Sequence, residues 1–257
     1  MIVTTEAVVL KTMKYRESSR ILTLYTREFG KLSVIAKGAR ERKSKFGSAL
    51  EPMSYVNAVL YKKDTRELQL LSQCDVVKPL QHLSEDMERM AAGMGVVELV
   101  DAVSHAEEEN KPLFALLLNT LNAINNATKN ALNALYYFEI RLLDIMGFRP
   151  NINACFNCGA SFEERATGPG VLELHVSYGG VLCAACSSKG MGLAAISAGT
   201  VKVLQRLQEV SDVEAVTRIK MSPQMKNEVR RTLRHYLQTH VEGLRTLKSE
   251  AVFSSIM

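Results

Sequence analysis

Two pairs of cysteines form the clearest chemical pattern in this 257-residue chain. Cys155 and Cys158 make one Cys-x-x-Cys pair, and Cys183 and Cys186 make the other. A Cys-x-x-Cys turn places two sulfurs close enough to bind one metal ion, and two such turns supply four ligands for a tetrahedral site. Because four thiolates leave no open position, the spacing predicts one structural Zn²⁺ per chain, which folds its module and does no chemistry.

The segment between the two pairs has the composition of a zinc ribbon. Gly159 follows the first pair, where a tight turn often needs a residue that can take positive φ. Gly168-Pro169-Gly170 is typical of a turn, residues 171–176 alternate like a strand, and residues 178–181 predict a turn and a short strand that returns to Cys183.

Other readings of the cysteines remain open. Disulfides need an oxidising compartment, yet residues 1–6 lack the features of a signal peptide, and no apolar run has the length of a membrane span. We therefore expect a soluble, cytoplasmic protein. A redox pair, bound iron or a metal-free state are the alternatives to zinc. Cys74 lies alone in an apolar, strand-like stretch and is expected to be a core thiol.

The positive charge of the chain is concentrated in its first third. Lys and Arg outnumber Asp and Glu by 32 to 27 overall, but residues 1–80 carry 15 basic and 8 acidic side chains, whereas the remainder carries 17 and 19. A basic segment followed by a neutral-to-acidic one predicts an N-terminal surface that binds polyanions.

Hydrophobic periodicity predicts strands in this basic segment. Apolar and polar residues alternate in five short runs, which are Thr5–Leu10, Arg20–Thr26, Lys31–Ala36, Tyr55–Tyr61 and Leu68–Val77. Five strands in so short a segment favour a small closed or nearly closed barrel. The OB-fold is the commonest such barrel, and an SH3-like barrel is the alternative.

After Pro79 the period of apolar residues changes from two to 3.6, which indicates helices from about 84 to 147. Helices resume after the ribbon. Ser222 as an N-cap and Pro223 at the first helical position predict a long helix that runs to about 248. We therefore predict an α+β protein with four segments, which are an OB-fold barrel (1–79), a first helical part (80–147), an inserted zinc ribbon (148–192) and a second helical part (193–257).

A dense basic run follows the third predicted strand. Between residues 37 and 47 it holds five cations and one carboxylate, and such density repels itself unless a polyanion is near. The cations are Lys37, Arg40, Arg42, Lys43 and Lys45. Beside them Phe46 is the best candidate for an exposed aromatic on which a base could stack. A solvated loop without a ligand is the alternative.

The last predicted helix has a basic flank beside its apolar face. Arg230 and Arg234 lie on that flank, next to Tyr236 and Leu237. This pattern is compatible with an ordinary amphipathic helix, or with an acceptor for an acidic, hydrophobic partner peptide whose carboxylates pair with guanidinium groups.

Catalytic signatures are missing from the sequence. There is no phosphate-binding Gly-x-x-x-x-Gly-Lys-Ser/Thr loop, no His-Glu-x-x-His pair, and the Gly93-Met94-Gly95 segment lacks the third glycine of a dinucleotide site. The sequence predicts a binding protein and not an enzyme.

The stretch from Tyr15 to Arg40, continuing through Lys43–Gly47 and Leu50–Pro52, closely resembles the RecO family of bacterial recombination mediators. The similarity extends over the whole chain, in the order barrel, helices, four-cysteine ribbon and helices. One departure is Ser19, where most members are expected to have an acidic residue.

The resemblance implies a DNA repair function with named partners. Such proteins bind single- and double-stranded DNA, anneal complementary strands, contact the acidic C-terminal tail of the single-stranded DNA-binding protein, and work with RecR to load RecA onto coated strands at the nucleoid. Carried over by position, the DNA contacts fall on Lys37, Arg40, Arg42, Lys43 and Lys45, with Arg16 and Arg20 on the barrel face. The tail-binding site belongs to the helical part, where helical spacing points to Arg230 and Arg234.

Two rival classes remain. A zinc-ribbon transcription regulator would also be basic, but it should prefer one duplex sequence over single strands. A protein adaptor would bind its partners without any affinity for DNA.

Overall fold

The computed structural model of the chain describes residues 1–162, 172–175, 179–186, 194–242, 244, 247 and 249. These residues form two compact units. The first contains residues 1–132 together with Leu247 and Ser249, and the second contains the described residues from 133 to 244. The turn predicted at 168–170 and the ends of the strand predicted at 171–176 lie outside the described residues.

The first unit begins with a closed five-stranded barrel. Its strands are β1 (Ile2–Tyr15), β2 (Ser19–Thr26), β3 (Gly30–Ala36), β4 (Tyr55–Tyr61) and β5 (Leu68–Lys78). The strand order is β1-β2-β3-β5-β4, and β4 pairs again with β1. Only β3 and β5 pair in parallel, and the other neighbours in the barrel are antiparallel. The predicted OB-fold barrel is confirmed, in place of the SH3-like alternative.

Alternation along the strands builds the barrel core. Successive side chains of a strand point to opposite faces, so every second residue points inward. The inward residues are almost completely buried and include Ala7, Val9, Leu22, Leu24, Leu32, Val34, Val56, Leu60, Leu71 and Cys74. The expectation that Cys74 is a core thiol is confirmed, and burial raises the pKa of its thiol to about 12.

Two helices pack against one side of this barrel. They are α1 (Met87–Val103) and α2 (Lys111–Asn126), and their first turns are capped by Asp86 and Asn110, whose side chains accept hydrogen bonds from backbone N–H groups. The rings of Tyr25 on β2 and Phe114 on α2 stack with centroids 6.3 Å apart. At the start of β3, Lys31 Nζ donates to the carbonyl of Asp101 on α1 at 2.7 Å.

Gly30 makes this packing possible. Its φ is +61°, and a Cβ built on it would lie 1.9 Å from the carbonyl oxygen of Glu108. The turn between β2 and β3 therefore needs glycine for two reasons. Its backbone is left-handed, and the backbone of Glu108 lies too close to leave room for a side chain.

The second unit combines helices with a small sheet. Its helices are α3 (Leu132–Ile145), whose first residue belongs to the first unit, α4 (Ala198–Glu209), α5 (Val213–Val216) and α6 (Pro223–His240). Strands β6 (Leu172–His175), β7 (Gly180–Leu182) and β8 (Ala194–Ile196) form an antiparallel sheet in the order β7-β6-β8. Asn133 Nδ2 on α3 donates to the carbonyls of Val216 and Ile219, both at 2.9 Å, and so joins α3 to the end of α5.

Helix α6 begins as predicted but is shorter than predicted. Ser222 Oγ accepts from the N–H of Met225, and Pro223 occupies the first turn. The helix ends at His240, because the backbone of Val241 is extended (φ −102°, ψ 106°). The prediction that it runs to about 248 was wrong. Apolar residues at Leu244 and Leu247 continue the helical spacing, but Leu247 belongs to the first unit.

Among the described residues, no helix is long and apolar enough to span a membrane.

Candidate metal centre and nucleic-acid interface

The four paired cysteines come together in the second unit. The sulfur atoms of Cys155, Cys158, Cys183 and Cys186 all lie within 4.8 Å of one another, and those of Cys158 and Cys183 are 3.8 Å apart. Four sulfurs arranged tetrahedrally at the usual Zn–S distance of about 2.3 Å are separated by about 3.8 Å. The cluster therefore has the size and the donor set of a metal site and can hold one ion.

Backbone hydrogen bonds build the first cysteine turn. The N–H of Gly159 donates to the carbonyl of Cys155 at 2.8 Å, and Gly159 has φ +69°, as the sequence predicted. The turn is held to β7 because the N–H of Phe156 donates to the carbonyl of Val181 at 2.9 Å. The two cysteine pairs are thus brought together by the chain itself.

The environment of Cys155 favours a thiolate. Burial raises the pKa of its thiol, but the backbone N–H groups of Cys183, Cys158 and Asn157 outweigh that effect and lower the pKa to about 6. The N–H of Cys183 lies 3.4 Å from the Cys155 sulfur. A thiolate is the form that binds metal, and these donors favour it at Cys155. At Cys186 a hydrogen bond with Asn157 lowers the pKa, but the neighbouring Cys158 and Cys183 outweigh it and raise the pKa to about 11.

The basic run lies at one end of the barrel, beside the turn between β1 and β2. Its position follows from the register, since Arg20 pairs with Ala36 and Tyr15 pairs with Ser19. The N–H of Arg40 donates to the carbonyl of Ser18 at 2.9 Å, and its guanidinium donates to the carbonyl of Arg16 at 2.9 Å. The fold therefore joins two basic segments that are separated in sequence.

Six predicted DNA contacts form a solvent-exposed group at this end. We call them the cationic end, and they are Arg16, Lys37, Arg40, Arg42, Lys43 and Lys45. Within the part of the chain that the structure describes, none of the six forms an ion pair with a carboxylate. Arg20 differs, because its guanidinium is 2.8 Å from Glu51 Oε1, which partly neutralises it.

Phe46 does not have the exposure that its neighbours suggested. Its side chain is 4% exposed and belongs to the barrel core with Ala49 and Leu50. The expectation of an exposed stacking ring at this position was wrong. The spacing of Phe46, Ala49 and Leu50 is that of one helical face, and the structure has a 3₁₀ helix at Gly47–Leu50. Phe46 thus anchors the end of the basic loop in the core.

The sequence reasoning missed Lys14 as a member of this surface. Lys14 is exposed on β1 and pairs directly across the strands with Arg20, which places its side chain beside the cationic end. Lys14 lies beyond the first predicted strand, which ended at Leu10, and its neighbours in the sequence do not indicate that it belongs to this surface. Only the register between β1 and β2 reveals its neighbours.

Helix α6 presents part of its predicted partner-peptide site. Arg230 and Arg234 are partly exposed, whereas Tyr236 and Leu237 are buried at 2% and 0% exposure. Tyr236 and Leu237 therefore pack in the core of the second unit. Nε and Nη1 of Arg234 are buried as well, so a ligand that approaches α6 can reach Arg230 without reaching these two apolar side chains.

The fold and the two sites define a class of protein. An OB-fold barrel with a group of exposed cations at one end, followed by a helical unit with a four-cysteine cluster, has the surface features of a nucleic-acid-binding protein.

Comparison with known proteins gives the family. Residues 1–80 match the family described as "Recombination protein O N terminal", and residues 84–250 match "Recombination protein O C terminal". A protein named DNA repair protein RecO from Chloroherpeton thalassium is 32% identical over 259 residues, which cover 100% of both chains. A protein of the same name from Salinibacter ruber is 35% identical over 259 residues, covering 99% of this chain and 94% of the relative.

The chain belongs to the RecO family of DNA repair proteins. The resemblance drawn from the sequence is confirmed, and a role in DNA repair follows from this membership.

Proposed function

We propose that this protein is a recombination mediator that binds DNA through the cationic end of its barrel. In this role it anneals complementary strands and, with RecR, helps to load RecA onto single-stranded DNA coated by the single-stranded DNA-binding protein. The observation that supports DNA binding is that six exposed cations from two separate segments converge at one end of an OB-fold barrel. Among the described residues, none of these six is paired with a carboxylate. Membership of the RecO family supports the remaining steps.

We expect the cationic end to bind phosphate groups and therefore to show no preference for one DNA sequence. Phosphate contacts release condensed counterions and carry no information about the bases. Exposed cations that contact two strands together reduce the repulsion between them, so annealing needs no nucleotide hydrolysis. We therefore propose a non-catalytic protein that acts at the nucleoid on single- and double-stranded DNA.

We propose Zn²⁺ as the metal of the four-cysteine cluster. Four sulfurs that all lie within 4.8 Å of one another suit zinc, which in four-cysteine sites is structural. Iron or a metal-free state is distinguished from zinc by elemental analysis.

We propose the basic flank of α6 as a contact for the acidic C-terminal tail of the single-stranded DNA-binding protein. The Arg230 guanidinium can pair with a carboxylate through two parallel hydrogen bonds, whereas Nε and Nη1 of Arg234 are buried in the second unit. Because Tyr236 and Leu237 are buried, the apolar part of such a contact must come from other residues of this unit.

The test of DNA binding is a salt titration of a loop variant. Arg40, Arg42 and Lys43 are changed together to alanine, and binding to fluorescent single-stranded DNA is measured at several salt concentrations. We expect weaker binding to every sequence, and a salt slope that is smaller by roughly 0.7 for each lost phosphate contact, or about 2 in total.

A charge-matched variant controls for the loss of three positive charges. Arg27, Lys111 and Lys129 are exposed cations of the first unit outside the cationic end, and their joint change to alanine should leave the slope close to that of the unaltered protein. An unchanged slope in the folded loop variant would show that the loop is only a solvated surface. Preference for one duplex sequence would favour a transcription regulator, and no affinity for DNA would favour an adaptor.

A further inference from the structure

A line of apolar side chains runs across the outside of the barrel and is not used by the cationic end. The register pairs Met13 with Ile21, Ile21 with Ile35, Ile35 with Leu70, and Leu70 with Tyr61. Residues paired directly across neighbouring strands point to the same face of a sheet. These five side chains, which we call the outer apolar row, therefore form one line that runs around the outside of the closed barrel. Within it Ile35, Leu70 and Tyr61 lie on the three neighbouring strands β3, β5 and β4.

The row faces outward because its sequence neighbours face inward. Leu22, Val34, Leu60 and Leu71 each follow or precede a member of the row and are buried in the barrel core. Side chains alternate between the two faces of a strand, so the row must lie on the opposite face.

The row is accessible to a ligand. Met13 is 53% exposed and Tyr61 is 46% exposed, while Ile21, Ile35 and Leu70 are partly exposed. The side-chain contacts of α1 with Lys31 and of α2 with Tyr25 involve residues outside the row. Partly exposed apolar side chains aligned on neighbouring strands of a basic barrel are typical of a binding surface.

Cations lie on both sides of the row. On one side the register aligns Lys11 with Thr23 and Thr23 with Ser33, so a polar line with an exposed lysine runs parallel to the row. On the other side the row borders the cationic end, because its member Lys37 follows β3 two residues after Ile35 and is exposed. A ligand that fits this arrangement carries flat apolar groups along its middle and negative charges along its edges.

We propose that the outer apolar row is a platform for the unstacked bases of single-stranded DNA, with Tyr61 as its aromatic member and Lys11 and Lys37 as contacts for the flanking phosphates. Every base has a π-face, so such a platform binds single strands without regard to sequence. This inference rests on the proposed DNA-binding function and adds strand selection to it.

Strand selection follows from the two kinds of surface. In a duplex the bases are stacked on one another and paired, so their faces cannot reach the row. The cationic end contacts phosphate, which both forms of DNA present. The row should therefore add affinity for single strands only, and that added affinity should not depend on salt.

The test is a double variant, Ile35→Thr with Tyr61→Thr, which removes apolar surface and keeps residues that favour strands. Binding to an oligothymidine and to a duplex of equal length is measured at several salt concentrations. Because the variant loses the stacking contact between a base and the Tyr61 ring, we expect roughly tenfold weaker binding to the oligothymidine. Duplex binding and both salt slopes should remain unchanged.

A matched control changes Val76 and Val77 to threonine. Both are exposed on β5 outside the row, at 41% and 46%, and their replacement should alter neither affinity. As a second measurement, Tyr61→Trp places a fluorescent indole ring on the row of a protein that otherwise contains no tryptophan. Its emission should be quenched by the oligothymidine and not by the duplex, which decides the question even if the double variant fails to fold.

The base platform is overturned if the double variant loses equal affinity for both DNA forms or loses none for either. It is also overturned if the duplex quenches the indole emission of the Tyr61→Trp variant. Such results differ from failure of the proposed function. That failure appears as an unchanged salt slope in the Arg40, Arg42 and Lys43 variant, whatever the outer apolar row does.

Discussion

The exposed Cys158 is the ligand whose replacement tests the metal site most directly. Cys155 and Cys183 are buried, so changing either also removes core packing, whereas Cys158 is at the surface. We expect elemental analysis to find one zinc per chain in the unaltered protein and none in Cys158→Ser. Structural zinc contributes about 10–16 kcal/mol of apparent binding free energy in small modules, so its loss should unfold the ribbon and lower solubility.

The control for this variant is Cys74→Ala. Cys74 is the fifth cysteine and lies in the barrel core, away from the cluster. Its replacement should destabilise the barrel modestly and leave the zinc content at one per chain. A zinc-free preparation of the unaltered protein, made without chelator, would contradict the assignment.

Gly30 gives a second prediction at the scale of single residues. Gly30→Ala forces a Cβ against the carbonyl oxygen of Glu108 and places a side chain in the left-handed region. We expect the urea midpoint of the first unit to fall by the equivalent of roughly 2–5 kcal/mol. Gly47→Ala is the control, because Gly47 also has positive φ (+51°) but no atom within 4 Å of its Cβ, so only about 1–2 kcal/mol should be lost.

At the scale of elements, a single carboxylate joins the start of α4 to α6. Glu228 Oε2 on α6 accepts hydrogen bonds from the N–H of Ser197 at 2.9 Å, from Ser197 Oγ at 2.8 Å and from Thr200 Oγ1 at 2.6 Å. Burial raises the pKa of Glu228, but these donors outweigh it and lower the pKa to about 2 from an ordinary value of 4.5.

This lowered pKa predicts a pH-dependent stability. A carboxyl whose pKa is lower in the folded state stabilises the fold above its unfolded pKa of about 4.5, and that contribution is lost as the pH falls towards 2. Glu228→Gln should therefore destabilise the second unit near neutral pH by about 1–3 kcal/mol. The difference from the unaltered protein should narrow as urea unfolding is repeated below pH 4.5.

Glu209→Gln is the matched control, since Glu209 is exposed at the end of α4. It should change stability little at any pH. A difference for Glu228→Gln that stays constant from neutral pH down to about pH 2 would show that the carboxylate charge is not what stabilises the junction.

At the scale of the whole molecule, the two proposed binding surfaces lie in different compact units. The cationic end is in the first unit, and α6 is in the second. Arg230→Ala with Arg234→Ala should weaken binding of an acidic tail peptide by at least roughly tenfold, because each charge-assisted hydrogen bond is worth about 1.5–3 kcal/mol. DNA binding should survive in this variant.

Both affinities are measured on the same preparation, and the Arg40, Arg42 and Lys43 variant serves as the reciprocal control. That variant should lose DNA binding and keep peptide binding. Retained peptide binding in the α6 variant would move the tail site elsewhere, and lost DNA binding would assign α6 to the DNA surface.

The sequence alone determined the features that rest on local spacing. The alternation in residues 1–78 predicted the strands, the capping pair Ser222-Pro223 predicted the start of α6, and the two Cys-x-x-Cys pairs predicted the cluster. Each of these depends on residues within a few positions of one another, because strand faces, helix caps and metal turns are built by the local backbone. The charge distribution likewise located the basic segment.

The tertiary structure decided everything that depends on which strands are neighbours. The parallel pairing of β3 with β5 closes the barrel, and the register between β1 and β2 brings Lys14 and Arg16 beside the basic loop. Burial was also decided there, since Phe46 fills the barrel core although polar residues flank it, and α6 ends before its apolar spacing does. The alignment of the outer apolar row cannot be read from the sequence, because its five members come from five strands and only pairing aligns them.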